Sequence, residues 1–381
     1  MRFCALIFGV CTVVFACLCV HYKTVHAVFI FRLLGCGPAL LICSDAACPG
    51  CKVVLMIIAT HDGTFHADET TACAIISYLH DKCSFIRSRD PDELERGDIV
   101  IDVSSRNDEK HYDHHSKDFK ECRENGIRYA TAGLMWRKFG EDYLKKVAAE
   151  NLKFHPSARV FKHAFERIDR EIMCAIDLDD NGQLTCYLAQ VAAAATPGEE
   201  EVRDRLAVFY EDMPTISYLV AMQNVPNADR ATQDQAFVCT VRTLKLLLVS
   251  AAINALHTEA GIAKVLDLYQ GEEILVLRDR LPWTEAVLTH PERFENCKLA
   301  VYPDRQERWR VQSLPRSKAQ RFKNRLGAPL EWRGLNDREL AQITGVATAT
   351  FVHRSGFTGG AVTFEDNLKL AQLWLKLGVP D

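Results

Sequence analysis

Histidines and acids recur along the first half of the chain at places where they could share one task. His61, His66 and Asp68 fall close together in Thr60-His61-Asp62-Gly63-Thr64-Phe65-His66-Ala67-Asp68-Glu69. Asp102 follows, then Asp113-His114-His115, then the acidic run Asp177-Leu178-Asp179-Asp180 before an Asn-Gly turn signal. Imidazole and carboxylate are the natural ligands of Mn²⁺, Zn²⁺ and Fe²⁺. Two such cations about 3.5–4 Å apart can bridge an attacking water and a phosphoryl oxygen, a task for roughly six protein ligands with one carboxylate shared. His61, His66, Asp68, Asp102, His114 and Asp177 supply that set, and Asp102, His114 and His115 are the candidates closest to the chemistry. His115 would orient a ligand or donate to a phosphate from behind it. Each residue alone has a plainer role. Asp68 could cap the helix after it, Asp102 could be a turn residue, and a His-His pair is usually solvated. Their convergence on one sheet edge favours the metal site.

That convergence requires particular elements. Residues 53–60 (VVLMIIAT) form a continuous apolar, β-branched run that suits a strand buried on both faces of a parallel sheet. A helical pattern follows over 70–79, a short strand over 84–87, and another strand over 98–103 (DIVIDV) with Asp102 near its end. The alternation predicts an α/β domain with a mostly parallel sheet, whose ligands gather outside the carboxyl ends of the strands. The text from 130 to 180 is helical, with one apolar stripe at Phe161, Phe165, Ile168, Ile172 and Ile176. Residues 190–261 read as mainly helical. Beyond 262, strands are predicted at 265–268, 274–277, 299–302 and 309–313, and helices at 337–344 and 364–377, giving a second, smaller α/β domain. The expected organisation is an N-terminal extension over 1–51, a metal-binding catalytic domain over 52–190, a helical connector over 191–261 and a substrate-binding domain over 262–381.

Composition narrows the class. The 381 residues are 48% apolar and 25% charged, with 46 Lys+Arg against 50 Asp+Glu. This excludes a disordered tail, a collagen and a disulfide mini-protein. A net charge of -4 gives no global claim on nucleic acid, so any such contact must be local. There is no G-x-S-x-G elbow and no Walker-type phosphate loop. Residues 1–51 differ from the rest: they hold eight of the 15 cysteines and a charge-free run over 4–20. Membrane anchor, cleaved signal and foreign upstream extension are the three readings; the third is favoured because the remainder reads as complete without them. Cys48-x-x-Cys51 is weak evidence for zinc. The other seven cysteines have no paired spacing and read as buried free thiols of an intracellular enzyme.

Late in the chain, Ser355-Gly356-Phe357-Thr358-Gly359-Gly360 would let backbone amides approach an anion. Arg310, Arg325, Arg333, His353 and Arg354 lie nearby in sequence. Lys318, Arg321, Lys323 and Arg325 form a basic run around Phe322, which reads equally as a solvated face or a nucleic-acid contact. Trp283, Trp309 and Trp332 could stack bases, although tryptophans so placed are more often core.

The Asp113-His114-His115 triplet, with Asp102 and His66-x-Asp68 upstream, resembles the DHH phosphoesterases. Within them the sequence is similar to the melanocyte proliferating gene one exonuclease family. The opening segment 60–69 carries that likeness, as do Arg87-Ser88-Arg89-Asp90, 98–103, 112–119, Pro282-Trp283, Trp309-Arg310-Val311-Gln312, Phe322 with Arg325, Trp332-Arg333-Gly334-Leu335 and 353–360 (HRSGFTGG). The resemblance runs from about residue 53 to the end. It implies a metal-dependent phosphodiesterase, a 3′→5′ RNA exonuclease using Mn²⁺ first and Mg²⁺ second. It implies action on single-stranded RNA or oligonucleotides in mitochondrion, nucleus or cytoplasm, with Arg89, Arg325, Arg333, His353, Ser355, Gly359 and Gly360 at the substrate. No obligate protein partner is inferred, a homodimer is left open, and membrane contact requires residues 1–51. The alternatives are a small-substrate phosphatase or pyrophosphatase of the same superfamily, or an impaired RNA-binding protein. The chain departs from the family at Ala175, where a Glu is usual, and at Asp179, a normally apolar place. These departures leave the choice between Asp177 and Asp180 open.

Overall fold

The structure, a computed structural model, describes residues 55–184 and 215–380. The extension over 1–51 and the acidic stretch at 199–204 lie outside the described residues, as does Cys186. The compact unit runs from Val53 to Asp381. The architecture is mixed α/β with two sheets.

The first sheet is wholly parallel, in the order β2-β1-β3-β4. β1 is Met56–Thr60, β2 Cys83–Arg87, β3 Ile99–Ile101 and β4 His111–Tyr112. Apolar residues on both faces of these short strands explain the unbroken hydrophobic text. Ile58, Ile99 and Ile101 enter the main core, while Ala59 and Val100 pack with Leu94 on the opposite face. From β1 the chain winds outward to β2 through helix α1 (Ala67–Leu79), then returns past a one-turn helix α2 (Pro91–Leu94) to β3 on the other side. This reversal opens a crevice beyond the ends of β1 and β3, where parallel α/β sheets place their ligands.

α3 (Thr131–Asn151) packs on α1, and α4 (Ala158–Ile168) follows it. The predicted single helix over 161–176 is interrupted. Asp169–Met173 forms a π turn, and α5 (Cys174–Asp180) continues beyond it. α6 (Ile216–Ala221) precedes α7 (Arg230–Leu268), a 39-residue helix about 58 Å long. Among the described residues α7 is the one helix long and apolar enough to cross a membrane, by length and composition. Its Phe237, Val241, Leu244, Leu248, Ala252 and Leu256 nevertheless belong to the first core, and Ile262 and Val265 to the second. The expected strand at 265–268 is therefore the last turn of this helix. Ile262, Val265 and Tyr269 are buried at helical spacing, and that periodicity outweighs the β-branched composition.

The second sheet has the order β5-β6-β7-β9-β8 and is antiparallel except for β5-β6. β5 is Ile274–Val276, β6 Leu299–Pro303, β7 Trp309–Ser313, β8 Ala349–Val352 and β9 Thr358–Ala361. Helices α8 (Trp283–Thr289), α9 (Asp337–Thr344) and α10 (Phe364–Leu377) complete this half. Arg167 of α4 ties the halves together. Its guanidinium lies 2.7 Å from Glu259 of α7 and 2.6 Å from Glu285 of α8.

α3 starts without a side-chain cap of its own, because Ala130 occupies the cap position. Carboxylates from elsewhere fill the gap. Thr131 N donates to Asp68 Oδ2 (2.9 Å), Ala132 N to Asp68 Oδ1 (2.5 Å) and Gly133 N to Asp177 Oδ1 (3.0 Å). A Cβ at Gly133 would sit 1.9 Å from Asp177 Oδ2 and 2.7 Å from the Arg123 guanidinium. Gly133→Ala must displace this arrangement and is expected to lower stability by about 2–4 kcal/mol, measured by urea unfolding. An unchanged midpoint would show that the helix start does not depend on Asp177.

Candidate metal centre

Adjacent parallel strands deliver three of the predicted ligands. His61 directly follows β1, Asp102 directly follows β3, and His114 comes two residues after β4. Asp102 holds a left-handed backbone at φ 57°, an uncommon conformation for a residue with a side chain and a mark of functional sites. Its carboxylate stands among three imidazoles. Oδ2 is 3.9 Å from His61 Nε2, and Oδ1 is 3.5 Å from His114 Nε2 and 3.2 Å from His115 Nδ1. Three groups of potential ligands surround it: His61, His66 and Glu69; Asp68, His114 and Asp180; and Asp102, His114 and His115.

The loop bearing His61 and His66 is clamped from outside. Gly63 adopts φ 79°, and its carbonyl accepts from Arg87 at 2.7 Å. Arg87 also pairs with Asp234 at 2.8 Å and lies over the Phe237 ring at 4.6 Å. Asn224 bonds both main-chain groups of Phe65, at 2.9 and 2.8 Å. Glu69 accepts from His66 N at 2.8 Å and lies 3.1 Å from His61 Nε2. Sequence reasoning did not assign Glu69 to the site. Its place in the first turn of α1, one residue after Asp68, was the available signal.

Asp177 does not occupy the ligand position expected of it. Fully buried, it is held by the Gly133 amide and by Arg123, 2.7 Å away. Arg123 is forked onto Asp169 as well, at 2.8 and 2.7 Å. Burial disfavours the charge on Arg123, but the two carboxylates outweigh it and hold the guanidinium well above its ordinary range. Asp180, three residues later on the same side of α5, lies 3.0 Å from His114 Nε2. The acidic run therefore divides its labour: Asp177 braces, and Asp180 joins the ligand groups. Ala175 is exposed, and Asp179 belongs to none of the groups, so the unusual residues of this run leave the ligand-facing side intact.

A family model for the MYG1 exonucleases, described as an uncharacterised protein family (UPF0160), matches residues 57–375. The chain belongs to the MYG1 exonuclease family. The mouse "MYG1 exonuclease" is 31% identical over 339 residues, covering 84% of each chain. The fission yeast "MYG1 protein C694.04c" is 32% identical over 333 residues, covering 84% of this chain and 97% of its own. The human "MYG1 exonuclease" is 29% identical over 339 residues. Among solved structures, RecJ with Mg²⁺ from Thermus thermophilus overlaps 85% of this chain and 50% of its own, at 15% identity. Its TM-score is 0.20, too low a likeness to bear on fold or site.

The residues of this MYG1-family chain fit a divalent cation. Asp68, Glu69, Asp102 and Asp180 converge, and among the described residues their ion-pair partners are imidazoles alone. The buried Glu69 Oε2 makes no hydrogen bond, and His114 Nε2 faces Asp180, Asp102 and Asp68 at 3.0–3.8 Å without a well-aligned hydrogen bond to any of them, the mark of atoms shaped for something else. Burial, then the charges of Asp102 and Asp180, push the Asp68 carboxyl well above the usual range. Burial lowers the affinity of His61 and His114 for a proton, but Glu69 beside one and Asp180 and Asp102 beside the other more than reverse it. Hydrogen bonds to Asp102 and Asp113 push His115 up to about 10. Asp113, also missed as a site residue, is buried and fixes the His115 ring at 2.8 Å. The His115 side chain stays 59% exposed.

The predicted substrate residues divide. Arg89 is exposed at the rim, 3.4 Å from Asp62, the neighbour of His61. Arg325 is not free for substrate: its guanidinium donates to the carbonyls of Pro315 (3.1 Å), Cys297 (3.0 Å) and Phe294. Arg333 donates to Ala328 O at 2.9 Å and lies against Gly356. Gly359 and Gly360 form part of β9, hydrogen-bonded between β7 and β8 rather than facing an anion. A Cβ on either would meet a neighbouring strand's carbonyl, so close strand approach explains them. His353 and Ser355 are exposed and bonded to each other at 2.7 Å. Trp283 and Trp332 are core, while Trp309 is partly exposed. A basic cavity of about 380 Å³ that the sequence did not reveal lies on the second sheet, lined by Arg280, Tyr302, Arg305 and Arg310 among others. Of the described thiols, Cys122 and Cys239 are exposed rather than buried.

Two outcomes are expected. Arg123→Ala strands Asp177 in the interior and should cost about 3–5 kcal/mol in denaturant unfolding, much of it recovered in the double variant with Asp177→Asn. Absence of recovery would dissolve the proposed bracing pair. Because the neighbouring acids raise the proton affinity of His61 and His114, Mn²⁺ uptake should release protons and tighten as pH rises. Calorimetry in buffers of different ionisation heat reads this directly; heats independent of buffer would remove the histidines from the ligand set.

Proposed function

We propose that the chain is a metal-dependent phosphodiesterase of the DHH type, a 3′→5′ exonuclease on single-stranded RNA. The observation that carries this reading is the Asp102 carboxylate. It stands between His61 on one side and His114 on the other, with ligand groups to both sides. A shared carboxylate between two sets of His and acid ligands is the donor arrangement of a two-cation phosphoryl-transfer site. The names of the mouse and human relatives support a nuclease rather than another use of the same ligands.

His61, His66, Glu69 and Asp102 would hold one cation, and Asp68, Asp102, His114 and Asp180 the other. Divalent cations held there would supply Lewis-acid charge for a phosphodiester oxygen and would lower the pKa of a water. Mn²⁺ suits the mixed imidazole and carboxylate set best, with Mg²⁺ second. The chain's own groups do the rest. Asp113 and Asp102 orient the His115 ring and keep it protonated, so that it can donate to a nonbridging phosphate oxygen. Arg89 at the rim adds positive charge for the strand that approaches. Asp68, locked by two amides of α3, cannot swing away as substrate enters. Action in mitochondrion, nucleus or cytoplasm is part of this reading.

The deciding assay uses protein lacking residues 1–51, 5′-labelled single-stranded RNA and pyrophosphate as separate substrates, and Mn²⁺ or chelator. A ladder shortening from the 3′ end with Mn²⁺ is expected. Asp102→Asn and His114→Ala should each lower the rate by a factor on the order of a thousand or more without unfolding the chain. Full activity in either variant would sink the site. Cleavage of pyrophosphate alone would replace the exonuclease by a small-substrate phosphatase.

A further inference from the structure

The run Arg316-Ser317-Lys318-Ala319-Gln320-Arg321-Phe322-Lys323-Asn324-Arg325 carries five cations and no carboxylate. The loop it forms is built. Its ends meet in a bridge between Pro315 and Asn324. Arg316 N donates to Lys323 O at 3.0 Å, and Arg316 Nε to Asn324 O at 3.3 Å. Inside, Gln320 N bonds Ser317 O at 3.2 Å and Lys323 N bonds Gln320 O at 3.0 Å. Arg325 anchors the base through the carbonyls already described. Two of the five cations thus hold the loop, and Lys318, Arg321 and Lys323 are left exposed, with no ion pair among the described residues.

Phe322 is 91% exposed, the most exposed large apolar side chain of the described residues. Its ring has the Arg321 guanidinium 5.4 Å from its centroid. A lone exposed apolar residue is ordinary. An aromatic ring held out by a tied loop, among cations that no acid neutralises, is the combination that captures single-stranded nucleic acid: phosphates on the cations, a base on the ring. An anionic membrane is the weaker match. The loop's other exposed side chains are short or polar, and one ring gives little apolar area to bury in lipid.

We propose that the loop Arg316–Arg325 is a single-strand nucleic-acid contact, with a base stacked on Phe322 and phosphates on Lys318, Arg321 and Lys323. This deepens the exonuclease reading, on which it rests for the identity of the strand, and it gives the net-negative chain the local basic surface that its overall charge withholds.

The test is binding, separated from hydrolysis. Full-length protein in excess chelator is titrated against fluorescein-labelled single-stranded RNA of about a dozen nucleotides, read by anisotropy. Phe322→Ala should weaken Kd on the order of tenfold while Phe322→Trp retains it, since the indole also stacks. Replacing Lys318, Arg321 and Lys323 together by Gln should reduce the slope of log K against log salt by about two. Matching thermal midpoints check that the variants fold, which the exposure of all four side chains predicts. Unchanged affinity in Phe322→Ala would overturn the proposal. So would no RNA binding by the parent protein, or loss of retention on phosphatidylserine vesicles with RNA affinity intact. If Phe322→Ala loses binding but the parent never hydrolyses RNA, the loop stands and the exonuclease reading falls. If hydrolysis is metal-dependent but binding is indifferent to Phe322, the exonuclease reading stands and the loop falls.

Discussion

Three consecutive backbone amides at the start of α3 fix two buried carboxylates that arrive from different elements. Thr131 and Ala132 hold Asp68 of α1, and Gly133 holds Asp177 of α5. A helix N-terminus leaves its first amides without intrahelical partners and carries partial positive charge. Here the amides offset part of the cost of burying the carboxylates, and burial still raises both carboxyls above their ordinary range. The same contact sets the distance between α1, α3 and α5, and so between the candidate ligands that α1 and α5 carry. Asp102 is drawn in as well, through Thr131 Oγ1 at 3.2 Å.

Around that frame the charges do not balance by themselves. The interior acids that are structural find their counterions: Asp177 and Asp169 have Arg123, and Glu259 has Arg167. Among the described residues, those at the crevice find only imidazoles, whose protons they retain against burial. The contrast separates bracing acids from ligand acids more sharply than burial does, since Asp68 and Asp177 are equally inaccessible.

The parallel sheet and the histidines and acids it gathers are legible in the sequence because both are local. Strands buried on two faces must be apolar runs, and the chemistry must follow them. His61, Asp102 and His114 can be read from their place after such runs. Long-range pairings cannot. Nothing near Asp177 announces Arg123, 54 positions earlier, and so the brace reads as a ligand while Asp180 stands beside it. Glu69 looks like an ordinary first-turn acid. In the second half, Gly359 and Gly360 read as an anion loop because glycine permits close approach to any atom. The atoms it admits here are neighbouring strand carbonyls. Val265 to Leu268 reads as a strand because β-branched composition is visible in a short window, whereas the continuity of a 39-residue helix is not.

The π turn at Asp169–Met173 makes the site depend on a count of residues as well as on their identities. In a uniform α-helix Asp169 and Asp177, eight positions apart, would point about 80° away from each other. One extra residue in the turn brings both onto Arg123. Deleting one residue within that turn would restore even pitch and leave the two acids seven positions apart, about 20° from alignment, so the register beyond it would be kept. Relaxing all the residues present to even α pitch would instead turn Asp177 away from Arg123 and Asp180 away from His114 by about 100°, with composition and every candidate ligand unchanged. The extra residue is therefore harmless only while the π geometry that absorbs it is kept, a dependence invisible to any inspection of the motifs alone.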